Sequence, residues 1–413
     1  MTEHGATSFK NEPLKDFSVE ENRRGITSAL EDLNATLAAG GFVSKPIIGG
    51  TSITTAEVST RTDPSDSRSI IGKTHFASRE HASQAVSACA VGLAAWRRCA
   101  HTERSAIIHR IGLLMRERAN FLTALIIREA GKTWREADAD VAEAIDFCLY
   151  YAEEMNRLGQ PHLTERVLGE ENYYFYQPRG VVAVISPWNF PLAIACGMAV
   201  AALVTGNTVI LKPSEQTSII AHEFAKIVYE AGVPGDAFAF LPGCGEDVGR
   251  ALVEHPLVSM IVFTGSRAVG LEIIRSAAAT TPNQIGIKKV VAELGGKNAI
   301  IVDEDADFDD AIRGVLQSAF GFAGQKCSAC SRLIIVGDAY EPFLERLAAA
   351  TNDLTVGPAQ DPASFYGPVV DEESYARITN TISSATDLRL LTQGPLAETL
   401  RGAGWYIPPT IYR

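Results

Sequence analysis

The chain has few cysteines, a deficit of basic residues and no long apolar run, and each shortage closes off a class of protein. Seven cysteines in 413 residues, only Cys327 and Cys330 of them close together, do not make the paired framework of a small secreted domain, so reduced thiols are expected. Lys and Arg number 37 against 49 Asp and Glu, a formal net charge of −12. Nucleic-acid affinity comes largely from basic side chains, so no nucleic-acid partner is expected. The most apolar stretch, Val181 to Leu211, is broken early by Pro187, Asn189 and Pro191. Its longest clean run, Leu192 to Val204, is shorter than the ~20 residues that cross a bilayer, so it reads as a buried strand, turn and helix, with no membrane partner. The opening MTEHGATSFKNEPLKD lacks both a basic start with an apolar core and the Arg-rich character of a transit peptide, and a cytoplasmic location is the expectation.

What is present is ordinary globular composition, 46% hydrophobic and 21% charged, in a chain long enough for at least two folding units. Residues 1–35 read as an N-terminal helical extension, with Val19, Ile26, Leu30 and Leu33 at helical spacing. From Ser78 to Gly159 the period is helical throughout. Val141, Ala144, Ile145, Cys148, Leu149, Ala152 and Met155 make one apolar stripe ending at Gly159. Leu163 to Val167 and Tyr173 to Gln177 flank Leu168-Gly169, the pattern of a two-stranded ribbon on an exposed arm of the kind that pairs between subunits. From Val181, the β-rich runs VVAVIS, TVILK, FAFL and SMIVFTG alternate with helical stretches, the signature of βαβ units on a parallel sheet and of an α/β fold. A second alternating block starts at Lys289 with KVVAEL and runs through NAIIV, a helix from about Asp307 to Phe322, SRLIIV and a helix near 341–350. The acidic run Asp303 to Asp310 sits at a helix start, where carboxylates complement the dipole, so capping is expected there and no metal site.

Five segments carry chemistry. In GFAGQKCSACSR, Cys327 follows a Gly-bearing turn and Lys326, a setting that exposes a sulfur and lowers its pKa. A Cys-x-x-Cys redox pair or half a zinc site compete with that reading, although the chain offers no second Cys-x-x-Cys and no nearby His-x-x-x-His. VVAELGGK ends an apolar strand at Glu293, at the edge where α/β sheets build sites; a loop-capping Glu is the bland alternative. ISPWNFP presents Trp188 and Asn189 after a buried strand, and an Asn amide N–H suits a developing oxyanion. TVILKPSEQT places Lys212, Ser214 and Glu215 just past a strand, within reach of ribose hydroxyls, or else as a solvated loop. IVFTGSRAVG puts Gly265 and Ser266 at a strand-to-helix junction, whose free N–H groups suit a pyrophosphate, although Gly-Ser-x-x-x-Gly is a weak motif. All five lie at predicted strand ends, and their joint occurrence is the strong signal.

In this order and approximate spacing, PWNFP, LKPSEQT, FTGS, ELGGK and GQKCSACSR resemble the aldehyde dehydrogenase superfamily over roughly residues 40 to 413. EADADVAEAIDF, FGFAGQKCSACSR and the N-terminal extension look like one subfamily, the L-glutamate γ-semialdehyde (1-pyrroline-5-carboxylate) dehydrogenases of proline catabolism. The resemblance implies an NAD-binding Rossmann-type domain over 36–160 and 179–292, an oligomerisation arm over 161–178 and an α/β catalytic domain over 293–413. It implies Cys327 as nucleophile, Asn189 and the Cys327 backbone N–H as oxyanion hole, and Glu293 as general base. NAD is the implied cofactor, with Lys212, Ser214 and Glu215 on the adenosine ribose and Ser266 near the pyrophosphate. The implied groove is lined by Ile185, Ser186, Pro187, Trp188, Gly245, Phe263, Thr264, Gly265, Val269 and Leu294. A carboxylate at Glu215 repels a 2′-phosphate, so NAD is expected over NADP. Ser328 is matched to the substrate α-carboxylate, with Glu143 and Phe190 near the substrate. The implied partners are a small aldehyde and further copies of the chain. Family members continue for about a hundred residues past the strand matching WYIPPTIYR, too many for fraying of a terminus to explain. That part is expected to carry a nicotinamide-ribose motif, half the carboxylate site and a strand used in assembly. Three other readings stay open: an aldehyde dehydrogenase of another substrate, a nucleotide-binding or interaction protein without turnover, and a Cys327–Cys330 thiol oxidoreductase.

Overall fold

The structure, a computed structural model, describes residues 9–281 and 283–413. The first eight residues of the expected N-terminal extension lie outside the described residues. The rest of that extension packs into the body of the protein. Helix α1 (Glu20–Ala38) buries Ile26, Leu30 and Leu33 in the main core. Val19 leaves the expected stripe, because it occupies the N-cap position, 46% exposed. Ahead of it, Lys15 pairs with Asp138, and Glu12 pairs with Arg116 at 2.6 Å.

Strands β1 (Phe42–Ser44), β2 (Ile47–Ile48), β3 (Thr51–Ser52), β4 (Val58–Asp63) and β5 (Asp66–His75) follow, with β5 pairing between β1 and β4. The helical stretch resolves into α2 (Arg79–Trp96), α3 (His101–Glu117), α4 (Ala119–Ala130) and α5 (Trp134–Leu158). Of the expected α5 stripe, Val141, Ala144, Ile145, Cys148, Ala152 and Met155 are buried and Leu149 is partly buried. The arm is a ribbon of β6 (His162–Val167) and β7 (Glu170–Tyr174). Its second strand begins three residues earlier than the sequence suggested. Leu168-Gly169 is a two-residue turn with Gly169 at φ 85°, so Val167 pairs at once with Glu170.

The expected βαβ units are β8 (Val181–Ile185), α6 (Ala193–Val204), β9 (Thr208–Lys212), α7 (Ser218–Glu230), β10 (Phe238–Phe240), α8 (Arg250–Glu254), β11 (Val258–Gly265) and α9 (Arg267–Ala278), and the structure adds β12 (Lys289–Leu294). They form one sheet in the order β12-β11-β8-β9-β10-β2-β3, parallel from β12 to β10. β8 and β9 are buried along their whole length. The strand period of two then sorts them between layers: Val182, Val184, Val209 and Leu211 face one helical core, and Val181, Ala183, Ile185 and Ile210 the other. β12 corrects the sequence reading of where the second block starts. It pairs with β11 through six residues and closes the first sheet at its edge. The second block therefore begins at β13 (Asn298–Val302) and continues through α10 (Phe308–Phe320), β14 (Cys330–Ile335) and α11 (Tyr340–Asn352). These elements pack around Val302, Ile312, Val315, Phe343 and Leu347. Asp307 caps α10 by accepting from the N–H groups of Asp309 and Asp310, the capping role expected of the acidic run. Helix α12 (Glu372–Ser384) and the pair β15 (Leu390–Gln393) and β16 (Thr410–Tyr412) follow. No helix among the described residues is long and apolar enough to cross a membrane.

Candidate active site

Four of the predicted site segments meet along one edge because parallel register aligns the carboxyl ends of their strands. Ile185 of β8 lies opposite both Lys212 of β9 and Phe263 of β11, and Thr264 of β11 lies opposite Glu293 of β12. The chain leaves β8 towards β9 on one side and returns to β11 on the other. That reversal opens the crevice where doubly wound sheets take ligands. A cavity of about 500 Å³ occupies this end, lined by Ile185, Gly245, Val269 and residues of α8 and α9. A Cβ at Gly245 would stand 3.9 Å from Glu215 Oε1, so these two residues face each other across the groove. Gly245 opens a π-type turn, Gly245–Gly249, that leads into α8, an irregularity frequent at functional sites. The Ser186 hydroxyl, next to Pro187 at the end of β8, is buried without a hydrogen-bond partner, a group that a ligand can satisfy.

Four groove residues of the sequence reading already have partners within the chain. Lys212 and Glu215 hold each other at 2.8 Å, and the Ser214 hydroxyl already donates to Gln216. Ser266 is the N-cap of α9, its Oγ accepting from Val269 N at 3.3 Å, so the hydroxyl shapes the junction while nearby backbone N–H groups remain for an anion. The weak glycine motif has a packing reason. A Cβ on Gly270 would stand 2.4 Å from Leu294 Cδ2, and one on Gly265 2.6 Å from the Phe263 ring; the missing side chains let α9 lie close on β11 and β12.

The cysteine turn comes from the other block. After α10 the backbone turns left-handed at Phe322 (φ 52°), Ala323 (φ 54°) and Gly324 (φ 72°). Two non-glycine residues in this region are strained, and such strain persists only where surroundings over-determine it. Here Phe322 is fully buried with Trp188 against it, ring centroids 6.4 Å apart. Gln325 accepts from Val370 N at 3.0 Å and donates to Phe322 O at 3.2 Å. Asn189 Nδ2 donates to Gln325 O at 2.9 Å, and Asn298 Nδ2 to the Cys327 carbonyl at 2.7 Å. The turn presents Cys327 and Ser328 as exposed residues, and the strand-end Asn189 loop and the Gly295-Gly296 link beyond Glu293 both reach it. Glu293 itself is exposed at the edge of β12.

Lys326, the cation that precedes Cys327, pairs its ammonium with Glu136 of α5 at 2.7 Å. The Cys330 thiol lies against Arg332 O at 3.3 Å, and all seven cysteines are free. Glu143 lies on the exposed side of α5, its carboxyl pKa raised by partial desolvation and by the nearby Asp140 carboxylate. Phe190 is half-buried, its ring centroid 3.9 Å from Lys132 Nζ. Among the described residues no cluster of His, Cys, Asp or Glu has the arrangement of a metal site. Sequence reasoning missed Gln325, Asn298, Glu136, Lys132 and Asp140. The only local signal of the last three was the density of charge in GKTWREADAD.

A sheet crevice at a strand reversal, together with an exposed cysteine on a strained and clamped turn, fits cysteine-dependent aldehyde oxidation. The chain belongs to the aldehyde dehydrogenase family, whose family model matches residues 53–413. It is similar to 1-pyrroline-5-carboxylate dehydrogenase of Geobacillus thermodenitrificans (strain NG80-2), 44% identical over 98% of this chain and 78% of that protein. Among solved structures it is similar to 1-pyrroline-5-carboxylate dehydrogenase from Thermus with bound NAD, with a TM-score of 0.94 and 42% identity over 98% of this chain and 77% of that one. It is also similar to proline utilization A from Bdellovibrio bacteriovorus inactivated by N-propargylglycine, with a TM-score of 0.95 and 42% identity, covering 42% of that longer chain.

Proposed function

We propose that the protein oxidises L-glutamate γ-semialdehyde, the open form of 1-pyrroline-5-carboxylate, to glutamate with NAD. The observation that carries this reading is the meeting of an exposed Cys327 turn with the Asn189 loop, through Asn189 Nδ2 and Gln325 O at 2.9 Å, beside a sheet crevice open at Gly245 and Glu215. The groove fits a dinucleotide: the orphaned Ser186 hydroxyl, the α9 N-terminus and the Glu215 carboxylate are groups that would bind it. Lys212, Glu215 and Ser266 would hold its adenosine half, and Glu215 favours NAD over NADP.

In the proposed reaction the Cys327 thiolate adds to the aldehyde carbon, and the carbonyl electrons move onto oxygen. The remaining N–H of the Asn189 amide and the Cys327 backbone N–H then donate to that oxyanion. NAD, when bound, supplies the acceptor for the hydride that leaves this carbon. Cys327 is left as a thioester, which water hydrolyses far more readily than an amide. Glu293 takes a proton from that water, its oxygen adds to the carbonyl, and the carbon–sulfur bond breaks to release glutamate and the thiolate. Ser328 and Glu143 would bind the amino-acid end. The wholly exposed Leu168 and the half-exposed Tyr173, Tyr174, Phe175 and Tyr176 of the ribbon support its use as an arm between subunits.

The test is Cys327→Ser. NADH production from glutamate semialdehyde is expected to vanish while calorimetry still records NAD binding. Turnover retained in Cys327→Ser but lost in Cys330→Ser would overturn the assignment.

A further inference from the structure

The turn that ends α4 carries a buried ion pair that the reaction as written does not use. Gly131 stands at φ 73°, and a Cβ there would meet Pro368 at 3.0 Å and Pro64 at 3.3 Å, so the chain reverses sharply and sends Lys132 inward. Lys132 and Asp140 are both fully buried and 3.0 Å apart. The same ammonium donates to the carbonyl of Asn189 at 2.9 Å and lies over the rings of Phe190 and Phe322. Asp140 in turn accepts from Ala193 N at 2.7 Å, at the start of α6 just beyond the Asn189 loop.

Burying two charges is costly, and an apolar pair of the same volume often gives equal or greater stability. The pair must therefore be explained by where it points. Its free donor is directed at one peptide group, that of Asn189, while the Asn189 side chain is held at its other end by Gln325 O, two residues before Cys327. An Asn amide has two N–H donors. With one on Gln325 O and the peptide plane pinned by Lys132, the direction of the second is set. We infer that the Lys132–Asp140 pair is a positioning device for the oxyanion donor, fixing the Asn189 amide from behind so that its free N–H meets the substrate oxygen at Cys327. The inference rests on Asn189 being that donor. Lys132 and Asp140 touch neither substrate nor cofactor and are positioning residues. Misplacement by a fraction of an ångström at such a donor is enough to slow the chemistry.

The test uses acylation of Cys327 by p-nitrophenyl acetate, read as single-turnover release of p-nitrophenolate. The thiolate adds to the ester carbonyl, passes through the same tetrahedral oxyanion and expels the phenolate, with no need for NAD. The variants are N189A, the charge-neutral K132M/D140N, whose new amide keeps an oxygen that accepts from Ala193 N, and the triple combination. N189A should acylate on the order of 100-fold more slowly. K132M/D140N should lose roughly tenfold or more, and the triple variant should be no slower than N189A, because residues acting through one group are not additive. K132M/D140N acylating at the parent rate, with N189A slow, overturns the inference alone, as does a triple variant whose loss is the product of the other two. N189A at the parent rate overturns the reading of Asn189 itself and the inference with it. Should K132M/D140N fail to fold, D140N alone, which keeps the ammonium, takes its place in the same cycle with the same non-additivity required.

Discussion

Replacing Glu136 with Gln removes the charge that holds Lys326 without changing its shape, and the structure sets the size of the effect. The pair is 2.7 Å long, with 17% of the lysine side chain and 12% of the glutamate exposed. Removing one partner of a fully buried pair costs about 3–5 kcal/mol. Here residual exposure and the hydrogen bond that Gln can still accept reduce this to roughly 1–2 kcal/mol. Against it stand Phe322 and Ala323, whose left-handed backbone costs about 1–2 kcal/mol each. The strain, about 2–4 kcal/mol in all, equals or exceeds the anchor, so loosening the anchor lets the turn relax. About 1 kcal/mol of lost preorganisation corresponds to roughly fivefold in rate. Glu136→Gln should therefore lower the urea unfolding free energy by roughly 1–2 kcal/mol and slow p-nitrophenyl acetate acylation of Cys327 about fivefold, while NAD binding is unchanged. A variant that loses stability but acylates at the parent rate would refute the argument that this pair holds the nucleophile turn.

Glu293→Gln should give one burst of NADH and then stall at the thioester, because hydride transfer precedes the base-dependent step; unchanged steady-state turnover would remove Glu293 from that role. Gly245→Val should weaken NAD binding by calorimetry at least about tenfold, since its side chain projects towards Glu215 across the groove, with little effect on NAD-independent acylation. Glu129, fully buried, accepts from the N–H groups of Ile219 and Ile220 on α7, and burial raises its carboxyl from 4.5 to about 7 against the opposing pull of these bonds and of Arg61. The folded protein then keeps this proton to higher pH than the unfolded chain, so the contribution is full below pH 4.5 and is lost as pH rises to about 7. Relative to wild type, Glu129→Gln should gain up to about 3 kcal/mol in unfolding free energy between pH 5 and pH 8, and parallel pH profiles for the two proteins would contradict the burial argument.

Much of the architecture was legible because its causes are local. β8 and β9 are continuous apolar runs buried on both faces, and the α5 stripe follows the helical period. The five motif segments sit at strand ends or turns for reasons of glycine, proline and capping chemistry that are written residue by residue. From these alone follow the α/β class, the ribbon, the order of the site segments and the choice of Cys327, Glu293 and Asn189 as candidates. What could not be read is whatever depends on a partner distant in the chain. β12 looked like the opening of a second block until its pairing with β11 placed it at the edge of the first. Lys326 looked like an activating cation until folding brought Glu136, 190 residues away, to its ammonium. Lys132 and Asp140 drew no reading from the sequence, since no periodicity shows that both are fully buried. Sequence by itself determined which elements form and which side chains stand as candidates for the chemistry, because propensity and pattern act over a few residues. Only the tertiary structure decided which charges meet and what holds the nucleophile and oxyanion loops, because burial and electrostatic pairing depend on distances that exist only once the chain has folded.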